Sequence, residues 1–254
     1  MTLSPSTPPR PTRVGVYIDA YNLYYGAREV CGRGTPGWRW LDLRSLATSL
    51  VAAQRGWAGA VVDRIIYCTA RIDSATNPSG FADQDVYLKA LMATKSVDLV
   101  VYGNYVSRVR ASPLATKGSR GKPILTRPAW PITVQSPLGT PDSEAIFMVS
   151  HLHQEEKGTD VNLATHMLMD VLDGHVDAVM VISNDSDLML PVRTTRSRVP
   201  VGHVNPRQTF FAGDLHGVKT EGVGNHWWRK LAEVDYLSHQ LPDSAGGYAK
   251  PIGW

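Results

Sequence analysis

Four aspartates and one asparagine stand where an oxygen-rich cation site could form: Asp19, Asn22, Asp160, Asp185 and Asp187. Asp19 ends the apolar run that starts at Val14, and Asn22 follows three residues later. Asp185 and Asp187 follow residues 178–182, an apolar run without polar alternation. A strand covered on both faces reads this way. Such a strand would deliver two carboxylates, two residues apart, into a strand-to-helix turn, where open α/β sheets bind ligands. Asp160 opens an amphipathic stretch. Each acid has a plain alternative role as a helix cap. Brought together, so many like charges repel unless they are protonated or held by a cation. Hard oxygen ligands suit Mg²⁺ or Mn²⁺, which keep several waters and also bind phosphate. A site of that kind can activate water for attack on a phosphodiester.

The elements that would position these residues alternate between strand and helix. Strands are expected at 13–18, 61–70, 97–101, 178–182 and 199–204. Helices are expected at 41–54, 80–94, 160–174 and 188–195, with Thr159 as the cap of the third. The βαβαβ pattern predicts an α/β fold with a parallel, doubly wound sheet. In the order 3-2-1-4-5 the first and fourth strands are neighbours. Asp19 would then lie against Asp185 and Asp187, with Asp160 entering from a helix start. Residues 226–231 are read as a docking segment, with a last short element at 234–237.

Residues 1–12 are rich in Pro, Ser and Thr and read as a disordered tail. Residues 13–237 form the predicted domain, and residues 238–254 read as a tail with little organisation. Residues 105–143 interrupt the α/β alternation and are too long for a plain connector. They carry Arg108, Arg110, Lys117, Arg120, Lys122 and Arg127 among prolines and glycines, with Trp130 nearby and short β pieces expected at 124–125 and 132–134. Two readings stand side by side: a solvated loop, or a nucleic-acid arm that contacts phosphates and stacks bases.

The chain has 254 residues, a formal charge of +3, 43% hydrophobic and 19% charged residues, enough for a full soluble core. The mild basicity permits nucleic acid without requiring it. Cys31 and Cys68 form no CxxC pair, so a disulfide scaffold and a cysteine zinc site are both disfavoured. His151 and His153 lack further ligands at zinc spacing. His166 and Asp170 fall within the helix at 160–174, away from the Asp160 position. With no membrane-length apolar run and no secretory h-region, a cytoplasmic protein is expected.

Val16-Tyr-Ile-Asp19-Ala-Tyr-Asn22-Leu, Glu156-Lys-Gly-Thr-Asp160-Val and Val181-Ile-Ser-Asn-Asp185-Ser-Asp187-Leu occur in this order. Together they resemble the three motifs of the NYN domain (LabA-like) family of the PIN-like nuclease superfamily. The resemblance spans residues 13–205. It implies a PIN-like three-layer α/β/α fold with a central, mostly parallel sheet of about five strands. It also implies a metal-dependent endoribonuclease using Mg²⁺ or Mn²⁺ on an RNA substrate. Asp19, Asp160, Asp185 and Asp187 would then be metal-site acids, with Asn22 orienting Asp19 or a water. Lys157 is a candidate phosphate contact. PIN-like sites often hold one more acid after the second strand, for which Asp73, Asp83 and Asp85 are candidates. Two other readings use the same residues: a non-catalytic RNA-binding or regulatory module, and a HAD-like phosphatase. The phosphatase needs a second Asp two residues after the first, where this chain has Tyr21. A homo-oligomer is left open.

Overall fold

Strand β1, Arg13–Asp19, has every residue from Val14 onward buried. Two apolar clusters share its alternating side chains. Val14, Val16 and Ile18 join Leu23, Leu43, Leu46, Leu50, Leu88 and Leu91 in one cluster. Tyr17 joins Leu163, Met167, Val171 and Val192 in the other. Period-two alternation on one strand therefore feeds two helical packings, which is why the strand reads as unbroken apolar sequence.

The computed structural model describes residues 10–119, 122–126, 135–142 and 147–254. After β1 come helices α1 (Ala20–Cys31) and α2 (Leu43–Ala52), strand β2 (Val61–Ala70) and helix α3 (Pro78–Ala93). Then follow strands β3 (Leu99–Pro113), β4 (Ala115–Lys117), β5 (Pro123–Leu125) and β6 (Met148–Lys157). Helix α4 (Thr159–Leu172), strand β7 (Ala178–Ile182), helix α5 (Met189–Arg196) and strand β8 (Val201–Asn205) continue the chain. Strand β9 (Trp227–Lys230), helix α6 (Glu233–Leu237) and the pair β10 (Ser244–Ala245) and β11 (Tyr248–Ala249) complete it.

The main sheet has seven strands in the order β6-β3-β2-β1-β7-β8-β9. The pairs β3/β2, β2/β1, β1/β7, β7/β8 and β8/β9 are parallel. The expected five-strand order lies at its centre, and two strands extend it. One is β9, where the sequence suggested only a docking segment; Trp228 pairs with His203 in register. The other is β6, which pairs with a third strand far longer than the predicted 97–101.

Two compact units make up the chain: Met1–Asn104 with Glu156–Trp254, and Tyr105–Glu155. The second begins where the basic insertion was expected and runs past residue 143 to Glu155. Within it, β4 and β5 form an antiparallel pair that matches Thr116 with Ile124. The Leu114 N–H donates to the Phe147 carbonyl. The β piece predicted at 132–134, together with Arg127 and Trp130, lies outside the described residues.

Residues 238–254 are packed, contrary to the expectation of a tail. Leu241 is buried and its N–H donates to the Trp40 carbonyl at 2.8 Å. Trp40 Nε1 donates to the Pro242 carbonyl at 2.8 Å. The Trp254 ring lies 5.7 Å from that of Tyr87. Small residues and turns dominate this segment, so its anchoring aromatic contacts have no local periodicity to announce them.

Candidate metal centre

Asp19 is the last residue of β1 and the N-cap of α1. Its Oδ1 accepts from the Asn22 backbone N–H at 3.0 Å, and its Oδ2 accepts from Asn22 Nδ2 at 2.6 Å. The capping role and the site role therefore coexist in one carboxylate, 5% exposed. Parallel pairing of β1 with β7 sets Ile18 level with Ile182. The residues just beyond these two strand ends consequently meet. Ser183, fully buried, donates its hydroxyl to Asp19 Oδ2 at 2.9 Å and accepts from the Asp185 N–H at 3.1 Å. Asn184 presents its N–H to Asn22 Oδ1 at 3.4 Å.

Asp160 lies in the first turn of α4, where the helix dipole favours an anion. The N-cap is Gly158 rather than the predicted Thr159, with φ of 90° and no side-chain cap. A left-handed residue is needed there to turn the chain from β6 into the helix, and glycine takes that conformation without steric cost. Asp19, Asp160 and Asp185 each offer an oxygen, and these oxygens all lie within 4.8 Å of one another. Among the described residues, no ion pair neutralises any of the three, and no other trio of potential ligands converges so closely.

Asp187 does not join the trio. It is exposed, and its N–H donates to Asp185 Oδ1 at 3.0 Å. It lies within the turn Ser186–Leu188, and its charge still reaches Asp160. Burial raises the pKa of Asp19, against the lowering effect of its hydrogen bonds from Asn22 and Ser183, and Asp185 adds to the rise. Burial likewise pushes Asp160 up to about 6, and repulsion from Asp19, Asp185 and Asp187 adds to it.

A fifth acid was not singled out from the sequence. Burial raises Glu156 to about 7, with further repulsion from Asp19 and Asp160. Among the described residues its buried Oε1 has no hydrogen-bond partner, a costly arrangement for a carboxylate. Its place four residues before Asp160 in the motif was the available signal. Only the fold shows that the end of β6 turns it toward the aspartates rather than solvent.

The remaining candidates separate. Asp85 pairs with Arg71 at 2.9 Å and Lys89 at 2.6 Å. Asp73 Oδ1 accepts from the Ala75 N–H inside its own loop. Asp83 belongs to α3 and is outside the trio. Lys157 is exposed at the end of β6. Arg108, Arg110, Lys117 and Lys122 are exposed within the second unit, where Arg110 pairs with Glu155 at 2.9 Å. Arg120 lies outside the described residues. His151 and His153 have ring centroids 6.2 Å apart and gather no third ligand among the described residues. Cys68, level with Asp19 in the sheet, is pushed up to about 12 by burial and the nearby acids, which removes it as a thiolate nucleophile.

The donor set fits a hard divalent cation: three converging carboxylates, two with raised proton affinity, and a buried carboxylate oxygen with no donor among the described residues.

No family model matches the chain. It is 26% identical over 267 aligned residues to a 6-hydroxy-3-succinoylpyridine 3-monooxygenase of Pseudomonas putida, covering 96% of this chain and 76% of that protein. Among solved structures it is similar to a Vibrio parahaemolyticus protein of unknown function. That match has 15% identity and a TM-score of 0.41, and covers 88% of this chain and 95% of the other.

Proposed function

We propose that this chain is a metal-dependent endoribonuclease on a PIN-like three-layer α/β/α fold. The observation that carries this reading is the convergence of Asp19, Asp160 and Asp185 at the carboxyl ends of adjacent parallel strands and a helix start. Asp19, Asp160 and Asp185 would hold Mg²⁺ or Mn²⁺, with Glu156 and Asp187 available at its margin. A bound cation of this kind activates water and stabilises charge on a phosphodiester. The chain's own part is to fix the acids beforehand. Asn22 and Ser183 hold Asp19 in one orientation, and the Ser183 hydroxyl ties the Asp185 backbone to the same carboxylate. Lys157 and the basic residues of the second unit are proposed phosphate contacts for RNA.

The test is cleavage of a mixed single-stranded and structured RNA pool with Mn²⁺, Mg²⁺ or EDTA, for wild type and Asp185→Ala. Metal-dependent products that fall by more than about 100-fold in the variant are expected, a loss larger than outer-shell changes cause. Absence of products with every metal would overturn the reading. RNA binding without cleavage would then indicate a non-catalytic module.

The Pseudomonas putida relative, 76% of which is covered, supports a second reading, oxygenation of a hydroxylated pyridine ring. Gain of one oxygen atom by such a substrate, measured by mass spectrometry under air with a supplied reductant, would favour it.

A further inference from the structure

Helix α1 buries Ala20, Leu23, Gly26, Ala27 and Cys31. Positions 21, 24, 25 and 28 form its outer stripe, spaced i, i+3, i+4 and i+7. They hold Tyr21, Tyr24, Tyr25 and Arg28. Tyr24 is 41% exposed and Tyr25 45% exposed. The rings run on without a gap: Tyr21 to Tyr25 is 6.1 Å, Tyr25 to Tyr24 is 5.4 Å, and Tyr24 to Trp38 is 5.5 Å between centroids. The Arg28 guanidinium lies 5.9 Å from the Tyr25 centroid, and Arg39 lies 5.1 Å from that of Trp38. Tyr21 is half-buried and Trp38 buried, so the exposed part of the row is Tyr24 and Tyr25, and exposed apolar patches of this kind mark binding surfaces. One end of the row is fixed at the metal centre, because Asp19 caps the helix and Tyr21 lies in its first turn.

Beside the row is an open depression of about 360 Å³, lined by Tyr25, Arg28, Glu29, Arg33 and Arg207. Three arginines thus face one glutamate, and among the described residues none of the three forms an ion pair. Gly26 accounts for the position of Arg207. A Cβ at residue 26 would fall 2.3 Å from the Pro206 carbonyl oxygen, so glycine lets α1 lie directly against the segment after β8. That segment continues to Phe210, 91% exposed, whose carbonyl accepts from Asn184 beside Asp185.

We propose that a single-stranded polynucleotide binds along this face. Its bases stack on Tyr25 and Tyr24, its phosphates meet Arg28, Arg33 and Arg207, and its backbone continues toward Asp19. This rests on the phosphodiester-cleaving reading and supplies its substrate class. Aromatic faces flanked by cations take any unpaired base, whereas a duplex keeps its bases stacked internally. A small aromatic acid would use one ring and leave the rest of the row uncovered.

Fluorescence anisotropy in EDTA, where cleavage is suppressed, tests the surface with labelled oligo(U), oligo(dT) and an RNA duplex. Single strands are expected to bind more tightly than duplex. Tyr25→Ala should weaken binding by about 5-fold to 100-fold, while Tyr25→Phe should bind like wild type. Arg28→Ala and Arg207→Ala should each flatten the logarithmic salt dependence by about 0.7. Preference for oligo(U) or for oligo(dT) upholds the proposal and identifies the sugar. Circular dichroism checks that each variant is folded. The proposal is overturned if folded Tyr25→Ala and the arginine variants bind as wild type, if duplex binds as tightly as single strands, or if no oligonucleotide binds. A protein that binds single strands through Tyr25 but never cuts them retains this surface and loses the nuclease reading. RNA cleavage that is unchanged in Tyr25→Ala has the reverse meaning.

Discussion

Ser183 and Asp19 join the ends of two neighbouring parallel strands through one buried hydrogen bond of 2.9 Å. Because the same hydroxyl accepts from the Asp185 N–H, a single side chain links two of the three converging acids. The Ser183 carbonyl is in turn held by His203 Nε2 at 2.7 Å. Burial lowers His203 to about 4, so the ring is neutral at physiological pH and donates through Nε2. Ser183→Ala removes a donor to a buried carboxylate and is expected to cost about 1–3 kcal/mol in urea unfolding. Cation affinity, read by calorimetry, should fall by about 10-fold to 100-fold, as for other outer-shell partners. Unchanged affinity would mean that Asp19 is positioned by Asn22 alone.

The raised pKa values of Asp160 and Glu156 predict that the protein in EDTA becomes less stable as pH rises. Asp160 moves from an ordinary 3.8 to about 6, and Glu156 from 4.5 to about 7. A raised carboxylate pKa means the folded chain holds its proton more tightly than the unfolded chain. That contribution is complete below the unfolded pKa and is lost as pH climbs through the folded one. Denaturation in EDTA should therefore become easier between about pH 4 and pH 7. Added Mn²⁺ should reverse the slope, because the cation binds the deprotonated acids. Asp160→Asn should flatten the EDTA slope and abolish stabilisation by Mn²⁺.

Glu156→Gln separates a structural carboxylate from one that serves the metal. The amide removes a charge from a half-buried position repelled by Asp19 and Asp160. Thermal unfolding in EDTA at neutral pH should shift upward for the variant, while Mn²⁺-dependent cleavage of RNA should fall. A fall in stability with full cleavage would instead assign Glu156 to packing.

How far these features can be read from sequence depends on how local their causes are. β1 and β7 are continuous apolar runs because both faces are covered, and an acid at the end of one and three residues beyond the other is visible without a structure. β9 was not visible as a strand. Trp227-Trp-Arg-Lys has no clean alternation, and its pairing with β8 is decided by tertiary contact. The separate fates of Asp185 and Asp187 were equally hidden: a short 3₁₀ turn at Ser186–Leu188 follows Asp185, and only Asp185 converges with Asp19. Burial of Glu156 and exposure of Tyr24 and Tyr25 depend on which face each element turns inward, and Tyr types alone do not specify it.

Asp170 provides the contrast to the converging acids Asp19, Asp160 and Asp185. It is 4% exposed, but its charge is matched: Oδ2 accepts from the Tyr17 hydroxyl at 2.9 Å and faces Arg64 Nε at 3.2 Å. His175 approaches Oδ1 at 3.3 Å. Placed on the inner face of α4, this carboxylate fastens the helix to β1 and β2. Asp170→Ala would leave the buried Tyr17 hydroxyl and the partly exposed Arg64 without their acceptor, a loss of about 1–3 kcal/mol. Urea unfolding should show that loss, and calorimetry on the folded fraction should show Mn²⁺ affinity like wild type. Loss of Mn²⁺ binding with unaltered stability would place Asp170 in the metal centre instead, against its ten-residue separation from Asp160 on α4.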